Sequence, residues 1–165
     1  MGSAAKKQER LYDVIKDFDN AMLVTRGASG REHARPMHIA EIREDGDIFF
    51  ATSLDSPKIT EIAVNPEVVV AFQSSRQFAA VYGRAEVVKD RNLIDHLWSE
   101  AWKVWFPQGK ADPTLCLIRV DGREGEYWDN AGVQGIKYAF EAAKAYMQHR
   151  TPDQDEKQNA KVRLN

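Results

Sequence analysis

The sequence has few of the residues that build metal or disulfide centres. It contains a single cysteine, Cys116, among 165 residues, which excludes an intramolecular disulfide and any site that needs several cysteine ligands. Its four histidines show no metal-ligand spacing, and no HExxH motif, P-loop or G-x-G-x-x-G fingerprint is present. Because Cys116 lies inside the apolar run 115–118, we expect a buried core residue rather than a reactive thiol.

Positive charge and long apolar runs are also scarce. Lysine and arginine number 23 against 25 acidic residues, a net charge of −2, so no cationic surplus is available to neutralise nucleic-acid phosphates. No apolar run approaches the roughly 18 residues of a membrane span. The segment 1–10 also lacks the apolar stretch of a secretory signal. We therefore expect a cytoplasmic protein with neither a nucleic-acid nor a membrane partner.

What the chain does contain is a series of short β-rich runs separated by turn signals. The pattern predicts strands at 21–25, 34–42, 48–52, 68–72, 78–88, 114–120 and 126–128, and helices at 4–18, 57–65, 91–106 and 134–149. Since hairpin-length turns join antiparallel strands, six or so of these strands are expected to close into a small barrel with helices outside. Pro36 lies within one predicted strand and indicates a sheet edge or a bulge.

The domain organisation predicted from this pattern is simple. Residues 1–150 form one domain, and residues 151–165 form a charged tail that is either mobile or docked through Val162 and Leu164.

One segment, Thr52 to Lys58, combines hydroxyl groups and a lysine where a strand leads into a helix. Asp55 or Ser56 can cap that helix, and Pro57 suits its first position. Free N–H groups and the positive end of the helix dipole favour an anion such as phosphate at this point. The alternative interpretation is a capped surface helix with a solvated lysine.

Two further signals leave similar alternatives open. Arg35 alternates with Met37 and Ile39 on one strand face, where its planar guanidinium could capture a phosphate or pair with a carboxylate at a sheet edge. Trp98, Trp102 and Trp105 share one stripe of the predicted helix 91–106, which suits a core, a subunit interface or the wall of a flat heterocycle.

Together these segments resemble the general stress protein branch of the pyridoxamine 5'-phosphate oxidase-like, FMN-binding split-barrel superfamily. The resemblance covers about residues 8–135 and depends on the order and spacing of several short motifs. They are Leu23-Val24-Thr25, Ala34-Arg35-Pro36-Met37, Phe49-Phe50-Ala51-Thr52-Ser53, Asp55-Ser56-Pro57-Lys58, Glu61-Ile62, Asn65-Pro66, Gly83-Arg84-Ala85, Leu97-Trp98, Trp105-Phe106-Pro107-Gln108-Gly109, Asp112-Pro113 and Glu126-Tyr127-Trp128-Asp129.

The resemblance implies a six-stranded antiparallel split β-barrel over residues 1–150 that binds a flavin, FMN or alternatively FAD, at a homodimer interface. It implies that Arg35, Ser56 and Lys58 bind the phosphate with Thr52 and Ser53 beside it, and that the Pro36-Met37 backbone lies against the isoalloxazine ring. Further candidates for the walls around the ring, including from the other subunit, are Gln73, Trp105, Phe106 and Trp128.

The sequence departs from true pyridoxamine phosphate oxidases at its C-terminus. Those enzymes carry an arginine–histidine pair for the substrate phosphate, whereas this chain has Trp128-Asp129-Asn130-Ala131-Gly132 and ends in Arg163-Leu164-Asn165. Vitamin oxidation is therefore not expected, and no residue is assigned as a catalytic acid or base. A deazaflavin-dependent reductase and a cofactor-free dimeric binding module stay as alternatives, and the electron donor and acceptor are unassigned.

Overall fold

The fold is described for residues 2–152 and 158–164 of a computed structural model. Its strands are β1 (Asn20–Arg26), β2 (Glu32–Ile42), β3 (Ile48–Ser53), β4 (Glu67–Gln73), β5 (Gln77–Val88), β6 (Leu115–Asp129) and β7 (Asn159–Arg163). Its α-helices are α1 (Gly2–Ile15), α2 (Pro57–Val64), α3 (Arg91–Leu97) and α4 (Gly132–Met147), with 3₁₀ turns at Glu100–Val104 and Gly109–Ala111.

Six antiparallel strands close the barrel. The neighbours run β3-β2-β1-β4-β5-β6, and β3 also pairs with β6 from Ile48↔Val120 to Ser53↔Leu115. Strand β7 is added to the outer half of β6 and takes no part in closure. The predicted six-stranded antiparallel split barrel is therefore confirmed.

Alternation along the strands separates two apolar cores, as a period of two residues requires. On β3, Ile48 and Phe50 face the barrel interior, where α1 and α2 also insert their apolar sides. The intervening Phe49 faces outward into a second cluster with Trp102 and Phe106. This outer cluster anchors the segment that follows α3 against the barrel wall.

The predicted helix 91–106 is wrong. Asp90 caps α3 as expected, accepting hydrogen bonds from the backbone N–H groups of residues 92 and 93, but the helix stops at Leu97 because Trp98 has non-helical dihedrals. Ser99 then accepts from Ala101 N and begins the separate 3₁₀ turn. The three indoles therefore form no single stripe. Trp98 packs edge-on against Trp102 with ring centroids 5.6 Å apart, whereas Trp105 is largely exposed.

The predicted break between strands 114–120 and 126–128 is also wrong, since β6 runs unbroken through the glycine-rich stretch. Its glycines permit close packing rather than a turn. A Cβ on Gly122 would lie 2.5 Å from the carbonyl oxygen of Gly46, and one on Gly125 would lie 2.4 Å from a methyl carbon of Leu11.

Part of the predicted tail is docked on the barrel. Val162 is buried and Leu164 packs against the main core, so the docked alternative is confirmed for residues 158–164. Residues 153–157 and 165 of the tail lie outside the described residues. Cys116 is fully buried, as expected.

Candidate functional site

The candidate site lies where β2 and β3 diverge. These strands are paired from Ile42↔Ile48 to Ile39↔Phe50, with a bulge between Ile39 and Glu41, and no further along. Pro36 therefore sits where β2 lacks a neighbour on the β3 side, a position that tolerates its missing N–H. The gap opens into a cleft of about 350 Å³, within the range of small-molecule sites.

Eight of the eleven predicted site residues line this one cleft. They are Pro36, Met37, Thr52, Ser53, Ser56, Lys58, Trp105 and Phe106. Trp102, which the sequence offered as a core, interface or ring-wall residue, also lines the cleft, as do His38 and Ala51, which the sequence prediction missed. His38 was recognisable in principle, because it follows Pro36 by two positions and so shares its strand face.

Lys58 is the main charged feature of the cleft. Its half-buried ammonium donates hydrogen bonds to Ser56 Oγ at 2.5 Å and to Thr52 Oγ1 at 3.1 Å. Within the described ranges, no carboxylate oxygen lies within 4.0 Å of Lys58 Nζ. Burial, and then the positive charge of Arg35, lower the pKa of Lys58 below its ordinary value of 10.5. A half-buried cation with no carboxylate in ion-pairing contact among these residues favours the binding of an anion.

The segment around Lys58 folds as the sequence predicted. Ser56 occupies the N-cap of α2 with extended dihedrals and Pro57 begins the helix. The Ser56 hydroxyl makes no capping bond to the helix, however; it accepts from Lys58 instead. Lys58 itself belongs to the first turn of α2, so the partial positive charge of the helix end adds to that of the ammonium.

Aromatic side chains also line the cleft. Trp102 and Phe106 are buried in the outer core, whereas the indole of Trp105 is 63% exposed. Trp105 is positioned by backbone bonds from the N–H groups of residues 105 and 106 to the carbonyl of Trp102. An exposed indole on a rigid support offers a flat apolar surface for a ring.

Arg35 lies beside the cleft but does not line it. It faces inward with Met37, as predicted, and its Nη2 donates to Glu61 Oε2 at 2.9 Å. Its Nη1 donates to Thr25 Oγ1 at 2.6 Å. Thr25 in turn donates to Glu61, and His33 Nδ1 lies 2.5 Å from Glu61 Oε1. The structure therefore contains the carboxylate pairing that the sequence left open for Arg35.

The hydrogen bonds around Glu61 have an electrostatic consequence. The Thr25 hydroxyl first, then His33 and Arg35, lower the pKa of Glu61 from 4.5 to about 2, because each donates to the ionised carboxylate. These contacts hold the guanidinium of Arg35 against Thr25 and Glu61, outside the lining of the cleft.

Gln73 and Trp128, like Arg35, do not line this cleft. Gln73 is paired with Phe78, and Phe78 with Trp128, so the three form one row across β4, β5 and β6. Their neighbours Phe72, Ala79 and Tyr127 point into the core, which places this row on the outer face of the barrel.

The described residues, 2–152 and 158–164, offer no group of three or more His, Cys, Asp or Glu side chains placed to hold a metal ion. Nor is any helix within those ranges both long and apolar enough to cross a bilayer.

Fold and site together define a class: a six-stranded split barrel with a cleft between two diverging strands, lined by a lysine, hydroxyl groups and aromatic side chains. The profile of the family described as pyridoxamine 5'-phosphate oxidase like matches residues 6–153. The chain belongs to this family, and the resemblance found in the sequence is confirmed.

Similar proteins place it in the general stress protein branch. General stress protein 26 of Bacillus subtilis (strain 168) is 28% identical over 120 residues, covering 69% of this chain and 82% of that protein. A crystal structure of a candidate general stress protein 26 from Jannaschia sp. CCS1 is 26% identical with a TM-score of 0.75, covering 96% of this chain and 99% of that one. A general stress FMN/FAD binding protein from Xanthomonas citri is 30% identical with a TM-score of 0.65, covering 77% and 91%.

Proposed function

We propose that this protein binds FMN in the cleft between β2 and β3 and acts as a flavin-binding general stress protein. The observation that carries the proposal is Lys58, a half-buried cation that has two hydroxyl neighbours and no carboxylate within ion-pairing distance in the described chain. A phosphate dianion would supply the missing negative charge and accept from the ammonium and both hydroxyls.

The rest of the cleft suits the remainder of the molecule. Pro36 and Met37 bring strand residues to its lining, and Trp105 adds an exposed indole. A flat isoalloxazine ring fits between such surfaces, with the phosphate near the first turn of α2. The relative from Xanthomonas citri, named as an FMN/FAD binding protein, supports the same ligand class.

Once bound, a flavin supplies the electron-transfer chemistry itself. The residues of this chain bind and orient it: Lys58, Ser56 and Thr52 fix the phosphate end, and Trp105 shields one side of the ring from water. Arg35 adds positive charge behind the wall while Glu61 holds it in place.

The functional unit in this proposal is a homodimer. On the outer face, Met22, Ala71 and Ala80 form an apolar row in register with Pro36 at the edge of the cleft. Met22 and Tyr82 remain exposed on this face. A second copy packed there would cover the apolar row. Gln73 and Trp128, on the same face, would then lie near the cleft of the partner subunit.

A visible absorbance spectrum of the purified protein, followed by titration of FMN fluorescence, tests the ligand. Flavin bands, or saturable quenching at one FMN per chain, are the expected result. Parallel titrations with FAD and with a deazaflavin test the two alternative cofactors. If none of the three binds, the proposal is overturned in favour of a cofactor-free binding module.

A further inference from the structure

Helix α4 carries an apolar stripe that faces away from its own chain. Val133, Ile136, Phe140 and Met147 are 66%, 73%, 69% and 79% exposed. Their spacing of three, four and seven residues places them on one side of the helix, in the a and d positions of a heptad, with the exposed Ala143 completing the series.

The opposite side of α4 is in a different environment. Tyr138 and Ala142 are half-buried and Ala145 is fully buried. Glu141, also on that side, pairs with Arg150 just beyond the helix at 3.3 Å. The helix is therefore already packed along one side, and the exposed stripe is a second apolar surface.

The topology makes α4 a projection from a single point on the barrel. The chain leaves at Asp129, the last residue of β6, and returns at Gln158, whose carbonyl accepts from Asp129 N at 2.6 Å. Immediately beyond, Asn159 of β7 pairs with Trp128 of β6. With sixteen residues, α4 is about 24 Å long.

The base of this projection is firmly held. The Asp129 carboxylate is buried and accepts hydrogen bonds from Arg10, from Gln77 at 3.2 Å and from the N–H of Ala131 at 3.0 Å. The N–H of Asn130 donates to the carbonyl of Arg76 at 2.9 Å. The direction in which α4 leaves the barrel is thus fixed by the fold.

We infer that the apolar stripe of α4 lies against a second copy of this chain, as an arm exchanged within the homodimer. This inference rests on the homodimer of the proposed function and adds the element that holds it together. The arm starts next to Trp128, on the same outer face that carries the row Met22, Ala71 and Ala80. The part of β6 that leads into α4 therefore shares its outer face with the apolar row.

The area also fits a second copy. The four large side chains of the stripe expose on the order of 500 Å², at the upper end of what monomers leave uncovered. A stable interface buries roughly 800 Å² per partner. The stripe supplies more than half of that area, and the outer face of the barrel offers apolar surface for the remainder.

Analytical ultracentrifugation of the full-length protein tests the arm directly. The variants Ile136→Asp and Phe140→Asp are expected to weaken dimerisation at least tenfold, because each buries a charge in the interface. Lys137→Asp, one position along and outside the stripe, is the matched control and is expected to dimerise like the wild type. Circular dichroism confirms that each variant is folded.

The outcomes separate the arm from the dimer itself. If the wild type is a dimer and the stripe variants dimerise with unchanged affinity, the arm inference is overturned and the homodimer stands. If the wild type is a monomer at all concentrations, the homodimer of the proposed function fails together with the arm.

Cross-linking gives a second readout that does not depend on destabilising the protein. Because Cys116 is fully buried, Ile136→Cys can be labelled selectively with a photoactivated cross-linker. In dimers reassembled from an unfolded mixture of ¹⁴N and ¹⁵N protein, cross-links that join a light and a heavy peptide support the arm. Cross-links confined to peptides of the same isotope contradict it.

Discussion

The guanidinium of Arg35 and the carboxylate of Glu61 are paired at 2.9 Å, Nη2 to Oε2, behind the wall of the cleft. The side chain of Glu61 is only 12% exposed, and it also accepts from Thr25 and His33. Because strand β1, strand β2 and helix α2 each contribute to this cluster, it joins the element that carries Lys58 to the strand that carries Pro36.

The Glu61 cluster predicts a loss of stability in acid. Its folded-state pKa of about 2 is lower than the ordinary 4.5, so the ionised carboxylate favours the folded state. This contribution is fully present above about pH 4.5 and is lost as the pH falls toward 2. Urea unfolding from pH 7 to pH 2.5 should show a smaller loss of stability with falling pH in Glu61→Gln than in the wild type.

The difference in slope between the two proteins is at most about 1.4 kcal/mol per pH unit, the value for one proton. Glu67→Gln is the control, since Glu67 is paired only across the surface with Arg84 and such pairs contribute little. Equal acid profiles for Glu61→Gln and the wild type would contradict the role given to Glu61.

Removing the Lys58 ammonium should weaken FMN binding with little effect on folding. A hydrogen bond to a charged group contributes about 1.5–3 kcal/mol, so Lys58→Ala is expected to raise the Kd for FMN roughly 10- to 150-fold in a fluorescence titration. Lys103→Ala is a suitable control, because Lys103 is exposed and paired with Glu100. Unchanged affinity in Lys58→Ala would remove the phosphate assignment.

FMN affinity should also depend on alkaline pH through Lys58. Its pKa lies below 10.5 in the free protein, and only the protonated form attracts the phosphate. The Kd is therefore expected to rise as the pH increases, beginning below pH 10.5. In Lys58→Ala this alkaline arm of the profile should be absent, and its persistence there would assign the titration to another group.

Trp102 and Trp105 are neighbours with opposite expected roles. Trp102 is 2% exposed and belongs to the outer core, so Trp102→Ala should lower the free energy of unfolding by about 3–5 kcal/mol. Trp105 is 63% exposed, so Trp105→Ala should leave stability almost unchanged and weaken FMN binding. Urea unfolding and FMN titration of both variants check this pair, and a stable Trp105→Ala protein with full affinity would remove the ring-wall role.

A complementation experiment tests whether Trp128 serves the partner's cleft. Lys58→Ala and Trp128→Ala homodimers should each bind FMN weakly. When the two chains are co-expressed with different tags and purified through both tags, one of the two clefts combines Lys58 of one chain with Trp128 of the other. That heterodimer should recover half of the FMN sites at wild-type affinity. If Trp128 instead acts within its own subunit, each cleft of the heterodimer lacks either Lys58 or Trp128, and no recovery of wild-type affinity should be seen.

Much of the barrel could be predicted from local signals. The short apolar, β-rich runs 21–25 and 68–72 predicted β1 and β4, and Ser56-Pro57 predicted the start of α2, because strand-forming composition and a proline at the first helical position act within a few residues. Local signals gave a wrong helix end at Trp98. The tryptophans keep a helical spacing beyond this residue, although Ser99 starts a new turn. Local signals failed again at Gly122 and Gly125, whose small size serves packing against Gly46 and Leu11.

The chemical character of the site was determined by the sequence itself: hydroxyls and a lysine at the end of one strand, a proline within another, and tryptophans further along the chain. Which of these residues meet in one cleft depends on the tertiary structure. Barrel closure brings Pro36 and Lys58 to one cleft, commits Arg35 to Glu61, and places Gln73 and Trp128 on the outer face. These relationships depend on strand register and on contacts between residues far apart in the chain, which no local pattern encodes.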